Sequence, residues 1–468
     1  MHLTTLLSMA VDGFGDRVVI GSRTDGLTPR QLERLARGGA TLAADADAIV
    51  FLAVNGPAFP VALFAAAYAG VPLVPLNYRL GAEQLDDLMA RHPSARVVSD
   101  ESFLAAAAGA DPVEAAADSD SPAVIIYTSG TTSAPKGVLL RHANLVSYVF
   151  GTVEFAGAGA DEAALVSVPP YHIAGISNVL SNLFAGRRVV SLPAFDPAEW
   201  LATVRAEDIT NAMVVPTMLA RIMTAEGDRS APSLRALAYG GAAMPPRVIE
   251  TALREWPRVG FVNAYGLTET SSTVSVLSPA DHRAALASGD PEVRARLHSA
   301  GRAVPGVEVE VRDGRIWIRG EQVSGEYAGT GPAVDARGFF DTRDSGRLDA
   351  DGYLFVTGRV DDTIIRGGEN IAPAEIEDVL LRHPAVADAA VVGVPDEEWG
   401  QRLEAVVVPA PGVAPDAEVL RGHVRSALRG SKTPERIVFH DELPRTPTGK
   451  LLRREVLILL ASAVAGEQ

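Results

Sequence analysis

The stretch Ala123-Val124-Ile125-Ile126-Tyr127-Thr128-Ser129-Gly130-Thr131-Thr132-Ser133-Ala134-Pro135-Lys136-Gly137 decides how the chain is read. An apolar run, Ala123 to Tyr127, reads as a buried strand. It opens into a loop holding five Ser/Thr hydroxyls, two glycines and one lysine. Hydroxyls and free backbone N–H groups donate to phosphate oxygens, and Lys136 adds a positive charge, so the loop is suited to a polyphosphate. The Asn144–Val149 region beyond reads as the start of a helix, giving an order of strand, loop, helix. The loop is not the Walker P-loop of kinases and GTPases, which requires G-x4-G-K-[ST]. After Gly130 this chain has Pro135 where the second glycine belongs and Gly137 where the hydroxyl belongs. The plain alternative is a turn rich in Ser and Thr.

Working outward, the alternation continues. Ile49 to Tyr78 carries no charged residue and is long enough to cross a bilayer. Pro57, Pro60, Pro72 and Pro75 divide it, so Ile49–Val54 reads as a strand, Ala58–Ala69 as a buried helix and Val71–Leu76 as a second strand. Short apolar runs at Leu165–Val168, Ala212–Val215, Ala236–Tyr239 and Gly260–Asn263 are spaced by helical stretches, and the fold class that follows is α/β. From Val304 the texture changes to short alternating strands, Val307–Val311 and Arg315–Ile318, with turns at Asp313-Gly314 and Asp351-Gly352, which predicts a small β subdomain. The Ala-rich stretch Phe103–Asp120 reads as a surface connection or a loose helix.

Composition bounds the function. With 468 residues and 47% hydrophobic content the chain can bury a large core and divide into at least two domains. A formal net charge of −16 opposes non-specific binding of nucleic acid, so none is expected as a partner, and an anionic ligand must be met by local cations. The absence of cysteine removes disulfides, thiolate metal sites and thiol nucleophiles and fits a reducing cytoplasm. Met1–Arg17 lacks a basic segment followed by an apolar one, so export is not expected.

Two further constellations carry chemistry. Asn263-Ala264-Tyr265-Gly266-Leu267-Thr268-Glu269-Thr270 follows a strand and sets a carboxylate beside hydroxyls, a pairing that holds Mg2+ against a triphosphate, with a tyrosine face for a base. Upstream, Tyr239-Gly240-Gly241-Ala242 ends a strand with two glycines, which let a planar ligand approach the backbone. The second constellation is Thr342-Arg343-Asp344, Gly358-Arg359-Val360-Asp361-Asp362, Arg366-Gly367-Gly368-Glu369-Asn370 and Thr446-Pro447-Thr448-Gly449-Lys450. In this order and spacing the motifs resemble the adenylate-forming superfamily of acyl-CoA synthetases, luciferases and peptide-synthetase adenylation domains, over nearly the whole chain. Gly358–Val379 and Pro169–Leu180 are most similar to aryl-CoA ligases of the chlorobenzoate and benzoate kind.

The resemblance implies a large N-terminal domain of stacked α/β sheets with a small β subdomain, residues 1–360, and a small mobile α+β lid, residues 361–468. It implies ATP, Mg2+ and coenzyme A as co-substrates and cofactor. Thr128, Ser129, Gly130, Thr131, Thr132 and Lys136 would hold the β and γ phosphates. Thr268 would bind the α-phosphate and Glu269 the Mg2+, with Tyr265 and Gly266 against adenine and the backbone of Gly240, Gly241 and Ala242 beside its amino edge. Asp344 would take the ribose hydroxyls, as a carboxylate accepts two hydrogen bonds from a diol, with Arg359 assisting. Lys450 would bridge the substrate carboxylate and the α-phosphate. Asp361 would be the hinge about which the lid turns, exchanging Lys450 for the Gly367-Gly368-Glu369 loop and the Trp399-Gly400-Gln401 segment on the thiol side.

Substrate choice follows from fewer residues. His172 stands where acyl- and aryl-CoA ligases often have an aromatic or histidine gate, though a lone histidine is more often structural. Amino-acid-activating relatives place an aspartate in this region, and none lies between Val168 and Leu180. Ile173, Ile176, Val214, Val215, Met218, Gly240 and Gly241 suggest an apolar pocket for an aromatic or medium-chain carboxylic acid. Two positions depart from the family: Ser133 replaces a glycine of the phosphate loop, and Arg343 replaces the glycine before Asp344. No carrier-protein serine motif follows Lys450, so the thiol acceptor is expected to be coenzyme A or a separate carrier protein. Some relatives pass the adenylate to a non-thiol nucleophile.

Overall fold

The computed structural model describes residues 1–114, 121–128, 135–366, 369–428, 430–446 and 449–465. Among them, two seven-stranded sheets dominate. In the first, Ile49–Phe51 lies between the parallel strands Leu73–Pro75 and Arg96–Val98, and Leu73–Pro75 is followed by Pro122–Thr128. In the second, Gly260–Leu267, Ala236–Gly240, Asn211–Val214, Ala163–Val166 and Arg188–Ser191 run parallel in that spatial order. Parallel strands linked by helices are covered on both faces, which is why these segments read as unbroken apolar runs. Ile49 and Phe51 enter the main core shared by the two sheets, whereas Val50 joins Val74 and Ile125 in a smaller cluster on the opposite face.

The helix Ala58–Ala69 has eleven of its residues buried, so its apolar length serves the protein core. No helix among the described residues is long and apolar enough to cross a membrane. The Ala-rich region forms the helix Ser102–Gly109, which buries Phe103 and Ala107 and packs on the helix Pro29–Thr41, where Phe103 lies against Gly39. It is a packed element, because Gly38 and Gly39 let the two helices approach closely.

The polyphosphate stretch has a different local topology from the one read in the sequence. Pro122–Thr128 pairs antiparallel with Lys136–Arg141, and only then does the helix His142–Thr152 begin. The loop tops a hairpin. The run Val138-Leu139-Leu140 has the pattern of a half-buried strand, and its pairing with Ile125 and Ile126 claims the residues that would otherwise lead straight into the helix.

The predicted β subdomain is an antiparallel sheet of Val307–Arg312, Arg315–Gly320, Phe340–Leu348 and Leu354–Arg359. Beyond the short turn Val360–Asp362 lies a hairpin, Ile364–Arg366 with Glu369–Ile371, and a three-stranded sheet of Val386–Asp396, Gly400–Pro409 and Arg436–Phe439. That sheet has its own cores: Val391, Ala405 and Val407 on one face, Ala390, Val392 and Val406 on the other.

Candidate active site

Three sheets deliver the predicted residues to one region. The third carries Asp344 on its strand Phe340–Leu348, where the residue is 6% exposed and fully partnered. Arg359 donates to its Oδ1 at 2.9 Å and the Tyr265 hydroxyl to its Oδ2 at 2.6 Å. Thr342 fixes the turn, donating to the Ile316 carbonyl at 2.8 Å and accepting from the Asp344 N–H at 3.1 Å. Burial raises the Asp344 carboxyl above the usual carboxylate range, against the opposing pull of Arg359, Tyr265 and the positive charge of Lys450. Burial also raises the Tyr265 phenol well above its ordinary value, with the Asp344 charge adding to it, so it stays a donor.

Glu269 lies on the short helical turn Thr268–Thr270, immediately after the strand Gly260–Leu267. Its carbonyl accepts from the Ser324 and Gly325 N–H groups at 2.9 and 3.1 Å. Its Oε1 accepts from the Tyr327 hydroxyl at 2.9 Å. Tyr327 pairs with Val138 of the hairpin, which brings Lys136 Nζ to 5.7 Å from the Tyr327 ring. Arg141 holds that edge by a bidentate pair with Glu326, both contacts at 2.9 Å. The polyphosphate hairpin and the Glu269 turn are therefore joined through one short strand, Glu326–Tyr327.

No group of three or more potential metal ligands occurs among the described residues. A single carboxylate with one oxygen engaged fits a magnesium ion that takes its remaining ligands from nucleotide phosphates and water. Of the polyphosphate loop itself, Thr128 and Lys136 are described, with the Thr128 hydroxyl 3.5 Å from the Lys136 carbonyl. Ser129, Gly130, Thr131 and Thr132, and likewise Gly367 and Gly368, lie outside the described residues.

The two glycines after Tyr239 have separate reasons. A Cβ on Gly240 would lie 2.2 Å from the Ala264 carbonyl oxygen, so the neighbouring strand itself excludes a side chain there. Gly241 adopts φ 84°, and a Cβ there would meet nothing closer than Val215 at 3.8 Å. The open approach is thus at Gly241, before Ala242.

On the acid side, His172 precedes the helix Ile173–Ala185. Burial pushes its imidazole down to about 4, so it is neutral. Its Nε2 and the Tyr171 hydroxyl are buried without a hydrogen-bond partner among the described residues. Ile173 is partly buried, while Ile176 and Val214 have no exposed surface and Val215 little, so these last three pack in the core behind any pocket wall.

Lys450 is exposed, its N–H donating to Thr446 Oγ1 at 3.0 Å. The loop rests on the helix Pro216–Met223: a Cβ at Gly449 would lie 2.9 Å from Thr217 Oγ1. Asp361 sits on the turn Val360–Asp362 and lies 3.6 Å from Arg343. Trp399 is 45% exposed, with the Arg366 guanidinium 5.7 Å from its ring, and Glu369 pairs with Arg366 across the adjoining hairpin. These form a second group on the C-terminal segment.

Sequence reasoning missed Tyr327, Thr217 and the Arg91–His92 pair. Arg91 donates to the Pro135 carbonyl at 2.9 Å and lies over the Tyr127 ring, while His92 is 2.9 Å from the Tyr127 hydroxyl. Both ends of the polyphosphate loop are thereby held from outside. Only pairing across distant segments reveals these contacts, and no local motif marks them.

This geometry has counterparts among known proteins. The profile of the AMP-binding enzyme family matches residues 8–328, and that of the AMP-binding enzyme C-terminal domain matches residues 375–450. A feruloyl-CoA synthase from Amycolatopsis sp is 37% identical over 453 residues, covering 91% of this chain and 92% of the relative. A fatty acid–acyl-carrier-protein ligase from Streptomyces coeruleorubidus is 34% identical, covering 88% and 86%. The o-succinylbenzoate CoA synthetase of Bacillus subtilis, solved with its acyl-adenylate intermediate, superposes with a TM-score of 0.83 at 28% identity, over 96% of this chain and 97% of that one. The chain belongs to the AMP-binding enzyme family of adenylate-forming ligases, with that family's large N-terminal and small C-terminal domains.

Proposed function

We propose that this chain is an AMP-forming acid–thiol ligase that adenylates a carboxylic acid with ATP and then transfers the acyl group to coenzyme A. The observation that carries this reading is the buried Asp344, held by Tyr265 and Arg359 and lying within the field of Lys450. A pre-built diol acceptor and a cation meet there, as the joining of a nucleotide to an anionic acid requires.

In the first step a carboxylate oxygen attacks the α-phosphorus, the bond to the bridging oxygen breaks, and pyrophosphate leaves. Both partners are negative, so the step depends on cations placed where charge accumulates. Lys450 Nζ neutralises the attacking carboxylate and the α-phosphate, and Thr268 donates to the latter. Lys136, with the hydroxyls of Thr128, Ser129, Thr131 and Thr132 and the Gly130 backbone, takes the leaving pyrophosphate. Glu269 would hold a Mg2+ ion, which would supply further charge neutralisation when bound. Asp344 and Arg359 fix the ribose, Tyr265 and Gly266 border the base, and Gly240 to Ala242 border its edge.

In the second step the thiol sulfur attacks the acyl carbon, AMP leaves and the thiol proton passes to solvent. Residues 361–468 turn about Asp361 for this step, withdrawing Lys450 and presenting Gly367, Gly368, Glu369 and Trp399 to the pantetheine arm. The boundary follows the turn at Val360–Asp362, where the antiparallel third sheet ends.

The acid is aromatic or medium-chain aliphatic. The orphaned Tyr171 hydroxyl and His172 Nε2, beside the apolar Ile173 and with Ile176 and Val215 behind, favour an aromatic acid bearing a polar substituent. The enzyme works in the cytoplasm, where coenzyme A and ATP are available. The relationship to a carrier-protein ligase supports a second reading, in which the acyl group passes to a separate carrier protein.

The test incubates the protein with ATP, Mg2+ and a panel of aromatic and aliphatic acids, with and without coenzyme A, followed by mass spectrometry. AMP with an acyl-CoA is expected. AMP or acyl-adenylate without a CoA thioester would favour the carrier protein or a non-thiol nucleophile, and ADP would overturn the reading.

A further inference from the structure

Arg343 stands between Thr342 and Asp344, where the family's pattern has glycine. Its φ is 58°, so the backbone keeps a left-handed shape that disfavours any side chain. A long cation is retained there all the same. Locally the turn is held by the Arg343 N–H, which donates to Asp341 Oδ1 at 2.9 Å. The guanidinium reaches away from Asp344 to within 3.6 Å of the Asp361 carboxylate.

The neighbouring acid is engaged in the other direction. Asp362 pairs with Arg453 at 3.1 Å, at the start of the C-terminal helix Arg453–Ala465. Adjacent carboxylates on one turn are thus divided: Asp361 is tied to the ribose loop and Asp362 to the C-terminal segment. Arg343 thus ties the loop before Asp344 to the turn Val360–Asp362.

We propose that Arg343 is a positioning residue that acts through Asp361, favouring the arrangement in which Lys450 faces the nucleotide and parting from Asp361 before the C-terminal segment turns toward the thiol. The inference rests on the ligase reading and on Asp361 as its hinge. The pair is partly exposed, with side-chain exposures of 60% and 37%, so it biases the two arrangements by about fivefold at most and weakens as salt rises.

The experiment compares Arg343→Gly, which suits the left-handed backbone, with Arg343→Lys, which keeps the charge. Adenylation is followed by pyrophosphate exchange, and thioester formation is followed from supplied acyl-adenylate. Because the chain has no cysteine, Ala284→Cys and Ser426→Cys introduce two specific label sites on the two segments, so their separation reads the arrangement without any turnover.

The expected result for Arg343→Gly is a shift of about two- to fivefold in the ratio of the half-reactions, against adenylation, with a broader label-distance distribution in ATP. Arg343→Lys should restore both, and raised salt should move the unsubstituted protein toward the glycine variant. An unchanged ratio and distance distribution for Arg343→Gly, or equal loss in both half-reactions, would overturn the proposal. Failure of the unsubstituted protein to adenylate any acid would instead count against the ligase reading, and the label distances would still judge the ion pair.

Discussion

The corner around Asp344 and the Lys450 loop hold their charged groups by opposite means. Asp344 is buried, and both of its oxygens accept hydrogen bonds from side chains of the large N-terminal segment. Lys450 is exposed, on a loop whose Gly449 packs against Thr217 of that segment. On the mechanism proposed above, a group that binds the nucleotide through both half-reactions gains from being fixed before the substrate arrives. A cation needed in only one of them gains from a contact that can be released.

Substituting Lys450 should break the comparison most sharply. Lys450→Ala is expected to lower pyrophosphate exchange by about a thousandfold, roughly 4 kcal/mol, while sparing thioester formation from supplied acyl-adenylate. Equal loss in both assays would mean that the lysine is as fixed in its role as Asp344.

Asp344→Ala attacks the pre-built corner. It leaves the Arg359 guanidinium and the Tyr265 hydroxyl without their acceptor, and a loss of about 3 kcal/mol in unfolding free energy is expected together with weaker ATP binding. Thermal unfolding and nucleotide titration check it. A stable variant with normal nucleotide affinity would show that the corner is not organised around this carboxylate.

The burial of His172 should show itself through acid stability. Its imidazole is held to about 4 from an ordinary 6.5, so the unfolded chain takes up a proton that the folded one resists. Its contribution is whole above pH 6.5 and is lost as pH falls toward 4, by about 3 kcal/mol. Asp378, pushed up to about 6 by burial, acts in the opposite sense, its contribution being whole below about 3.8 and lost as pH rises through 6. His172→Phe isolates the histidine: the difference between variant and parent in denaturant midpoint should grow in the variant's favour from pH 7 to pH 4.5. A constant difference would place His172 in contact with solvent.

The smallest effect expected is that of Tyr327→Phe, which removes one hydrogen bond to Glu269 without emptying the space. A cost of about 1 kcal/mol should appear as a several-fold higher Mg2+ requirement, with ATP affinity at saturating Mg2+ nearly unchanged. A change in ATP affinity alone would assign Tyr327 to the base or the ribose.

Much of the fold was legible because parallel strands buried on both faces leave unbroken apolar runs: the helix Ala58–Ala69 has its predicted bounds, and strands begin at Ile49 and Gly260 as predicted, the first ending early at Phe51 and the second running past Asn263 to Leu267. The hairpin partner Lys136–Arg141 was not, since a short strand and a loop exit have similar composition until a neighbour pairs with one of them. Asp344, Glu269 and Lys450 could be named in advance because each sits in a compact motif. Tyr327, Thr217 and Arg91 carry no such motif, and what they touch lies tens to hundreds of positions away in the chain.

The sequence by itself determined the family to which the chain belongs, through a hydroxyl-rich loop with a lysine, a carboxylate beside threonine and a late lysine in register along the chain. Tertiary structure decided which groups act together. It tied Tyr265 and Arg359 to one carboxylate, joined the hairpin to Glu269 through Tyr327, and set Arg343 against Asp361. Hydrogen bonds and ion pairs act over a few ångströms, and only the packing of the sheets brings such distant residues within that reach.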